Sequence, residues 1–380
     1  MIDLTRVCKP AAVAMYTIDT NPENSFTYAL FGIQQLDRDQ TIKPDSLIDT
    51  FSTLIQHQQE EQKGACFIDE VIQDGILAPG KGKTHIWIMT WKSSAQFMEW
   101  WTSTAVAKFW ASLPNDAGMW REFLTIPYSR AQYKATSDWP TGLGSHYPHQ
   151  PAVKNGYWGW IRDSIRETSR SGKEGKEREA VPRMDSNIVG LKGLDGQALA
   201  AAPLSKVNER IHITTFPDNI CFNLERQDMS RMEAPEKEIW FNEFDTPVCQ
   251  WMDDLAFAPP DAGIISSRMC YDQSSSTYQS RPGPVFHNYN KKVEPFYFTD
   301  LKAMEKSGMA NKGHVALRNN ILKTYGPGGV LSGGVGKMTL WVETSVLKAS
   351  GMDAEYVGCV EGTGFMAYRD HEAFRNVDNR

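Results

Sequence analysis

The feature that most constrains the fold is a strand–helix–strand order that occurs twice along the chain. "THIWIMTWKSSAQFMEWWTSTAVAKFWASL" (84–113) reads as a β-rich strand, a helix start signal at Ser93 and Ser94, and a helix with large apolar residues on one face. "EPFYFTDLKAMEKSGMANKGHVALRNNILKTYG" (294–326) has the same order, with its start signal at Thr299 and Asp300. A further strand-like segment follows each helix. The pattern therefore predicts two copies of a β-α-β unit.

Strands interleaved with helices favour an α+β fold in which two ferredoxin-like halves pack their sheets into one α+β barrel. We expect a single domain over 1–380, with approximate halves over 20–163 and 205–370. The segment between them, 164–203, is rich in charge, glycine and serine, and it predicts a long surface excursion. A generic α+β chain without a repeat is the alternative.

The charge of the chain excludes several classes of partner. The formal net charge is −6, whereas binding to nucleic-acid phosphates or anionic membranes needs clustered Lys and Arg. No stretch approaches the roughly 20 apolar residues of a membrane helix, and the N-terminal segment lacks a signal-peptide core of adequate length. We therefore expect a cytoplasmic protein that binds neither nucleic acid nor a membrane.

Common catalytic signatures are poorly supported. The glycine-rich run over 326–336 precedes a strand, which reverses the strand, glycine-rich turn, helix order of phosphate-binding loops. His146 and His149 in "SHYPHQ" are close enough in sequence to chelate a metal ion, but no Cys or carboxylate pattern accompanies them. A structural role is the simpler interpretation for both histidines.

His314 is a more promising candidate, because it lies alone at the start of an amphipathic helical run. The corresponding helix of the first copy has Lys108 and no histidine. Neutral imidazole is the commonest protein ligand for metals and haem iron, although a lone histidine is more often structural. Gly313, immediately before it, leaves room for a large planar group. Haem binding and a structural role both remain open on these residues alone.

Five segments carry a resemblance to a known family. They are "NGYWGWIRD" (155–163), "FPDNICF" (216–222), "GHVALRNNI" (313–321), "LWVETSVL" (340–347) and "YVGCVEGTGF" (356–365). In this order and spacing the chain resembles the haem-containing aldoxime dehydratases, including nitrile-forming phenylacetaldoxime dehydratases. The resemblance implies a dimeric α+β barrel, a homodimer, and one haem b per chain whose iron is ferrous in the active state. It also implies that His314 is the axial ligand of the haem iron.

The family's chemistry identifies further candidate residues. An aldoxime, R-CH=N-OH, is proposed to bind the iron through nitrogen, lose water and the hydrogen on carbon, and leave as a nitrile. Because hydroxide is a poor leaving group, a positioned acid should donate a proton to the oxime oxygen. Arg162 matches the family's distal arginine, and we expect it to hold the hydroxyl in line. Without the resemblance, a surface arginine or one ion-paired beside Asp163 would be the simpler interpretation.

The chain departs from the family where protons are handled. Val342 replaces the distal histidine that is the family's acid–base catalyst, and valine cannot transfer a proton. Glu225 replaces a distal serine. A further histidine, near the C-terminus, is replaced by Val360 or Glu361.

Three interpretations follow; the retained Arg162 and His314 favour the two that involve catalysis, and we prefer the first. In it, burial beside the haem raises the pKa of Glu225, which takes over the acid–base role; a solvated carboxylate near Arg226 is the structural alternative. In the second, the pocket acts on another N–O compound, by rearrangement or bond formation on an oxime or hydroxylamine. In the third, the chain binds haem or a ligand without turnover. Glu343 is a weaker candidate acid, because successive side chains of a strand point to opposite faces.

Overall fold

The structure is a computed structural model. It describes residues 15–35, 40–75, 78, 82–168, 184–186, 188, 190–191 and 205–375. Most of the predicted surface excursion over 164–203 lies outside these residues. Within the described residues, no helix is both long enough and apolar enough to cross a membrane.

The described residues form one antiparallel sheet of 14 strands. In chain order the strands are β1 (Tyr16–Ile18), β2 (Ser25–Gln35), β3 (Cys66–Asp74), β4 (Lys83–Trp91), β5 (Met119–Pro127), β6 (Ala131–Ala135), β7 (His149–Pro151), β8 (Arg210–Ile213), β9 (Cys221–Asp228), β10 (Ile264–Ser267), β11 (Cys270–Tyr271), β12 (Lys291–Phe298), β13 (Thr339–Val346) and β14 (Met352–Val357).

The helices lie between these strands in the chain. They are α1 (Pro44–Glu61), α2 (Ser94–Trp101), α3 (Thr104–Ala111), α4 (Trp160–Ser164), α5 (Ala234–Ile239), α6 (Asp245–Ala256), α7 (Leu301–Ala310) and α8 (Lys312–Tyr325). A π-helical turn, Trp240–Phe244, joins α5 to α6. The mixed α+β class expected from the sequence is therefore confirmed.

Two sections of the chain follow the same path through the sheet. In the first, β2, β3, β4 and β5 lie in the order β5-β2-β4-β3; in the second, β9, β11, β12 and β13 lie in the order β13-β9-β12-β11. The predicted strand–helix–strand order is present in both, as β4-α2-α3-β5 and as β12-α7-α8-β13. A short pairing of β11 with β3, Tyr271 opposite Ile72, joins the sections into one sheet.

The helix start signals lie where the sequence indicates them. The Ser93 hydroxyl accepts a hydrogen bond from the Ala95 N–H (3.2 Å) at the start of α2, and the Asp300 carboxylate accepts one from the Ala303 N–H (2.7 Å) at the start of α7. Such caps satisfy N–H groups that a helix start leaves unpaired. The second helical run has a break at Asn311, whose extended backbone separates α7 from α8.

The sheet curls around an inner core. The rings of Tyr28 on β2 and Phe222 on β9 lie 5.2 Å apart between centroids, although four strands separate β2 from β9 in the sheet. Side chains of β9 alternate between this core and the outer face of the sheet. Arg226 points into the core, where it forms ion pairs at 2.7 Å with Asp69 and with Glu343. The outer face of the second section is left for the helices to cover.

Candidate functional site

A cavity of about 310 Å³ lies between the outer face of the second section and its helices. Strands β9, β12 and β13 form one wall, helices α6 and α8 form the other, and the segment 155–161 covers one side. The lining is mainly apolar, and the volume falls within the range of about 300–1,000 Å³ that ligand pockets usually have. This is therefore a cavity suited to a largely apolar ligand with few polar anchors.

The helical wall follows from side-chain spacing. Residues three and four apart lie on one face of a helix, so each helix presents a stripe to the cavity. On α8 the stripe is His314, Leu317, Arg318, Ile321 and Leu322, and on α6 it is Val248, Trp251, Met252 and Leu255.

His314 is held on this wall by three contacts. Its imidazole Nδ1 lies 2.9 Å from the carbonyl oxygen of Gly308 in α7. Its backbone N–H donates to the Asn311 side-chain oxygen (2.8 Å), which caps α8. Its ring stacks on Trp251 of α6, with 4.3 Å between the ring centroids. Helices α7 and α6 thus orient the imidazole, and the Asn311 cap fixes the backbone that carries it.

These contacts define the state of the imidazole. Burial lowers the pKa of His314 and outweighs the opposing hydrogen bond to Gly308, so the ring is neutral near pH 7. A carbonyl oxygen only accepts hydrogen bonds, so the neutral ring carries its proton on Nδ1 and keeps a lone pair on Nε2. Gly308 permits the close approach, because a Cβ there would lie 3.1 Å from His314 Cε1. Gly308, rather than the Gly313 considered from the sequence, makes room beside the imidazole.

Glu225 lies on the opposite, strand wall of the same cavity. Its carboxylate accepts a hydrogen bond from Asn223 Nδ2 (2.9 Å), and burial raises the pKa of this carboxyl group. Val342 on β13 is its register partner and also lines the cavity. Residues directly opposite on antiparallel strands have Cβ atoms about 5 Å apart, so Glu225 and Val342 are immediate neighbours.

The alternation of the strands separates Glu225 and Val342 from the charged residues that follow them in sequence, Arg226 and Glu343. Arg226 and Glu343 point into the inner core, where they pair with each other and Tyr28 donates a hydrogen bond to Glu343. Glu225 is thus not a solvated partner of Arg226. Glu343 faces away from the cavity, as strand geometry predicted.

Arg162 on α4 lies at the edge of the site. Its Nη2 donates to Glu305 Oε2 (2.9 Å) and its Nε donates to Oε1 (3.1 Å). Burial acts to lower the pKa of Arg162, but the hydrogen bond and charge of Glu305 raise it overall. Glu305 and the neighbouring Ile161 line the cavity, whereas Arg162 is not among its described lining residues. The structure thus brings Arg162 to the site through Glu305.

Sequence reasoning missed part of the cavity. Arg318 lines it, with its guanidinium carbon 4.4 Å from the ring centroid of Trp158 and its Nη2 donating to the Gly156 carbonyl (2.7 Å). Its position four residues after His314 was an available signal, since such residues share a helix face. Trp251 gave no such signal, because only the folded chain brings α6 against α8.

Other histidine-related positions lie elsewhere. Val360 and Glu361 are not among the described residues that line the cavity, and the Val360 N–H donates to the Gln34 side chain (2.9 Å). The two ring nitrogens considered as chelators have separate partners: His146 Nε2 lies 2.8 Å from the Thr90 carbonyl oxygen, and His149 Nε2 lies 2.9 Å from the Tyr133 hydroxyl.

The fold and the cavity together define an α+β protein whose apolar pocket presents a neutral imidazole. One imidazole suffices as the protein ligand of a haem iron, because the porphyrin supplies the equatorial ligands. The chain belongs to the haem-containing dehydratases, whose family profile it matches over residues 29–365. The predicted family is therefore confirmed, as are an enzyme of the dehydratase class and haem as its cofactor.

Individual relatives have low sequence identity to this chain, but the similarity covers most of each chain. A phenylacetaldoxime dehydratase of Bacillus sp. (strain OxB-1) is 21% identical over 359 residues, which cover 93% of this chain and 91% of that protein. An aliphatic aldoxime dehydratase of Rhodococcus erythropolis is 24% identical over 282 residues, 73% of this chain and 70% of that protein. A crystal structure of an aldoxime dehydratase is similar with a TM-score of 0.71 and 18% identity, covering 95% of this chain and 93% of that one. At this identity the structural likeness shows the fold alone.

Proposed function

We propose that this protein is a haem-dependent lyase that dehydrates aldoximes to nitriles, with Glu225 as its proton donor. The observation that carries the proposal is the pair of groups on opposite walls of one apolar cavity: the neutral imidazole of His314 and the half-buried carboxyl of Glu225, whose pKa is raised by burial. The substrate class comes from the relatives, a phenylacetaldoxime dehydratase and an aliphatic aldoxime dehydratase.

The residues of the cavity fit a haem b. His314 would hold the iron through Nε2, since Nδ1 is engaged by Gly308. The apolar side chains suit the faces of a porphyrin, and Arg318 offers a positive charge to a propionate. When bound in the ferrous state, haem supplies an iron site for the oxime nitrogen and electron density for cleavage of the N–O bond.

Glu225 is the proposed acid and base. Because burial raises its pKa, the carboxyl can carry a proton near neutral pH and give it to the oxime oxygen, which leaves as water. The resulting carboxylate then takes the hydrogen on carbon as a proton. Val342 cannot perform either proton transfer, but it is an apolar neighbour that limits hydration of Glu225.

Arg162 is the proposed residue for holding the substrate hydroxyl, together with Glu305. Glu305 lines the cavity and is joined to Arg162 by two hydrogen bonds. A hydroxyl group that reaches this wall can donate to Glu305, whose orientation depends on Arg162. The contribution of Arg162 therefore acts through the ion pair.

A second candidate function is favoured by one observation, the valine at position 342. With the family's usual proton donor absent, the same scaffold could rearrange another oxime or a hydroxylamine, or form a bond to it. Haem or ligand binding without turnover is the third interpretation. Products other than a nitrile, or none at all, distinguish these cases from dehydration.

We also infer that the two sections are ferredoxin-like halves of a dimeric α+β barrel and that the protein is a homodimer. The matching strand paths, β5-β2-β4-β3 and β13-β9-β12-β11, support the first inference. Sedimentation equilibrium of the haem-loaded protein tests the second: a mass of two chains is expected, and a single-chain mass at all concentrations would contradict it.

The proposed function is tested by an anaerobic assay of the haem-loaded, dithionite-reduced protein. Phenylacetaldoxime and aliphatic aldoximes are supplied, nitrile is quantified by chromatography, and the Soret band is recorded in the same samples. We expect nitrile and a substrate-dependent Soret shift. A shift without nitrile would contradict dehydration while leaving ligand binding at the haem.

His314→Ala provides the matching test of the ligand. Loss of the imidazole should abolish the Soret band of the purified protein, because the axial ligand is lost. His146→Ala is the control, since His146 lies outside the cavity lining, and it should retain the band. A normal Soret band in His314→Ala would show that another residue holds the iron.

A further inference from the structure

A fully buried carboxyl lies directly beside the half-buried Glu225. Glu294 on β12 is the register partner of Glu225 on β9, and its side chain is fully buried. It belongs to the face of β12 that carries the cavity residues Phe296 and Phe298, since alternate residues share a face. Cβ atoms of directly opposed residues lie about 5 Å apart, so the two carboxyl groups occupy one desolvated region.

Two amides hold the two carboxyl groups in place. Asn223 Nδ2 donates to Glu225 Oε1 (2.9 Å), and Gln227 Nε2 donates to both oxygens of Glu294 (3.2 and 3.3 Å). Asn223 and Gln227 lie two residues on either side of Glu225 on the same strand face and also line the cavity. The strand thus supplies a carboxyl group flanked by amides, with the second carboxyl opposite.

The charged groups that act most strongly on Glu294 lie on β9 and β12. Glu225 repels a negative charge on Glu294, whereas Lys292, on the same face of β12, attracts one. Lys292 is itself buried, with its ammonium 4.9 Å from the ring centroid of Tyr278. The remaining titratable or charged groups nearby are Cys270 on β11 and, beyond Lys292, Asp245, Cys249 and Arg281.

We propose that Glu225 and Glu294 form a carboxyl pair that holds one proton between them, with Glu294 as a positioning residue that keeps Glu225 in its proton-donating form. Two adjacent carboxylates in one desolvated region do not both ionise readily, so they titrate as a pair. Burial, and then the charge of Glu225, raise the pKa of Glu294 to about 8, while Lys292 and Gln227 act in the opposite direction. The repulsion is reciprocal, so an ionised Glu294 disfavours ionisation of Glu225 in the same way, and the proton is shared by the pair.

The proton balance of the reaction is compatible with such a pair; this step rests on the proposed function. Glu225 gives its proton to the oxime oxygen, the N–O bond breaks, and water leaves. The C–H bond then breaks, its proton goes to the Glu225 carboxylate, and its electron pair completes the C≡N bond. The pair regains the proton that it lost, so Glu294 is not consumed and needs no contact with substrate.

An infrared titration tests the pair without turnover. In the haem-loaded wild-type protein, the carbonyl stretch of a protonated carboxyl should persist above neutral pH and disappear at more alkaline pH. In Glu294→Gln, the midpoint for Glu225 should fall by about one pH unit or more, because the neighbouring charge is gone. Glu225→Gln should lower the midpoint of Glu294 in the same way. Unchanged midpoints in both variants would overturn the proposal.

The pH profile of nitrile formation is the second readout. The alkaline limb of kcat/KM should move to lower pH in Glu294→Gln, with a loss of about tenfold or more on that limb. Glu294→Asp keeps a carboxyl at this position and should restore part of the shift. Glu99→Gln removes an exposed carboxyl on α2, away from the cavity, and should leave both readouts as in wild type. An alkaline limb unchanged in Glu294→Gln would contradict the pair.

The two proposals fail in different ways. If no nitrile forms but the infrared midpoints are coupled, the proposed function fails and the pair remains. If nitrile forms while Glu294→Gln changes neither the midpoint nor the alkaline limb, the pair fails and the proposed function remains. Haem content and the unfolding midpoint, measured for every variant, identify effects that come from misfolding.

Discussion

Proton handling in the cavity depends on single residues, because the valine at 342 can neither donate nor accept a proton. Glu225 is the register partner of Val342, so a carboxyl group lies on the neighbouring strand, directly opposite the valine. Under the proposed function, this position on the neighbouring strand keeps a proton donor on the same wall. The chemistry of the site is thus determined by which face of β9 each residue occupies.

Arg162→Leu should lower turnover per haem by about 10²-fold, the scale seen when one oriented donor is removed from an active site. The physical reason is that Glu305 would lose the partner that orients it at the cavity wall. The measurement is nitrile formation normalised to Soret absorbance. Arg166→Leu is the control, because its ion pair with Asp19 is exposed and long (3.5 Å). Loss of haem in Arg162→Leu would instead make it a structural residue.

Residue-scale predictions depended on strand and helix periodicity. The directions of Glu225 and Glu343 followed from alternation, and the structure has them on opposite faces. The partner of Arg162 did not follow, because Glu305 lies far away in sequence and only tertiary packing joins α4 to α7. The roles of Glu225, Arg162 and His314 stay predictions until they are measured.

At the scale of elements, the start of α8 positions the candidate ligand. Asn311 ends α7 and caps α8, and its side chain binds the backbone N–H of His314. The imidazole then reaches back to Gly308, in the last turns of α7. The break between the two helices therefore creates the geometry of the site.

Asn311→Ala should destabilise the protein by about 1 kcal/mol, the usual loss for a helix cap, and should also accelerate haem dissociation. Haem transfer to an excess of apomyoglobin measures the rate. Ser93→Ala removes a comparable cap at the start of α2 and should cause a similar loss of stability without changing haem release. Equal dissociation rates in the two variants would contradict a positioning role for Asn311.

The sequence indicated the starts of α2 and α7 through Ser93 and Asp300, because these residues supply local hydrogen bonds. The break at Asn311 was not predicted. "MANKGH" continues the helical pattern, whereas the Asn311 side chain caps α8 and also donates to Asp254 on α6 (2.7 Å), a contact between residues far apart in sequence. Local signals thus identified the helices but not the turn that orients His314.

At the scale of the whole molecule, the curled sheet places opposite charges inside its core. Arg226 is fully buried between Asp69 and Glu343, and Lys291 also approaches Asp69 at 3.2 Å. Buried ions of this kind are tolerated only when paired. The outer face of the same strands is then left for the cavity.

Arg226→Met should lower the free energy of unfolding by about 3–5 kcal/mol, because two buried carboxylates lose their common partner. Urea denaturation followed by tryptophan fluorescence measures the loss. Arg231→Met, at an exposed position, should change stability by less than about 0.5 kcal/mol. A loss of the same small size in Arg226→Met would show that the core pairs contribute little.

The α+β class and the repeated element order were predictable, since they depend on periodicity. The pairing of β11 with β3 was not, because it joins residues far apart in sequence through a single pair of partners. The homodimer and the cytoplasmic location remain predictions. The family resemblance, carried by five short segments, contributed what periodicity could not: the ligand and the reaction.

Nitrile formation by Glu225→Gln, measured anaerobically and per haem, tests most directly whether Glu225 is the proton donor. We expect normal haem content and a loss of turnover of about 10²- to 10⁴-fold, since the substituted amide cannot act as the acid. In wild type, activity should fall as pH rises through the raised pKa of Glu225, because only the protonated carboxyl donates. Wild-type turnover in Glu225→Gln on every aldoxime that the protein accepts would contradict the role of Glu225 as proton donor.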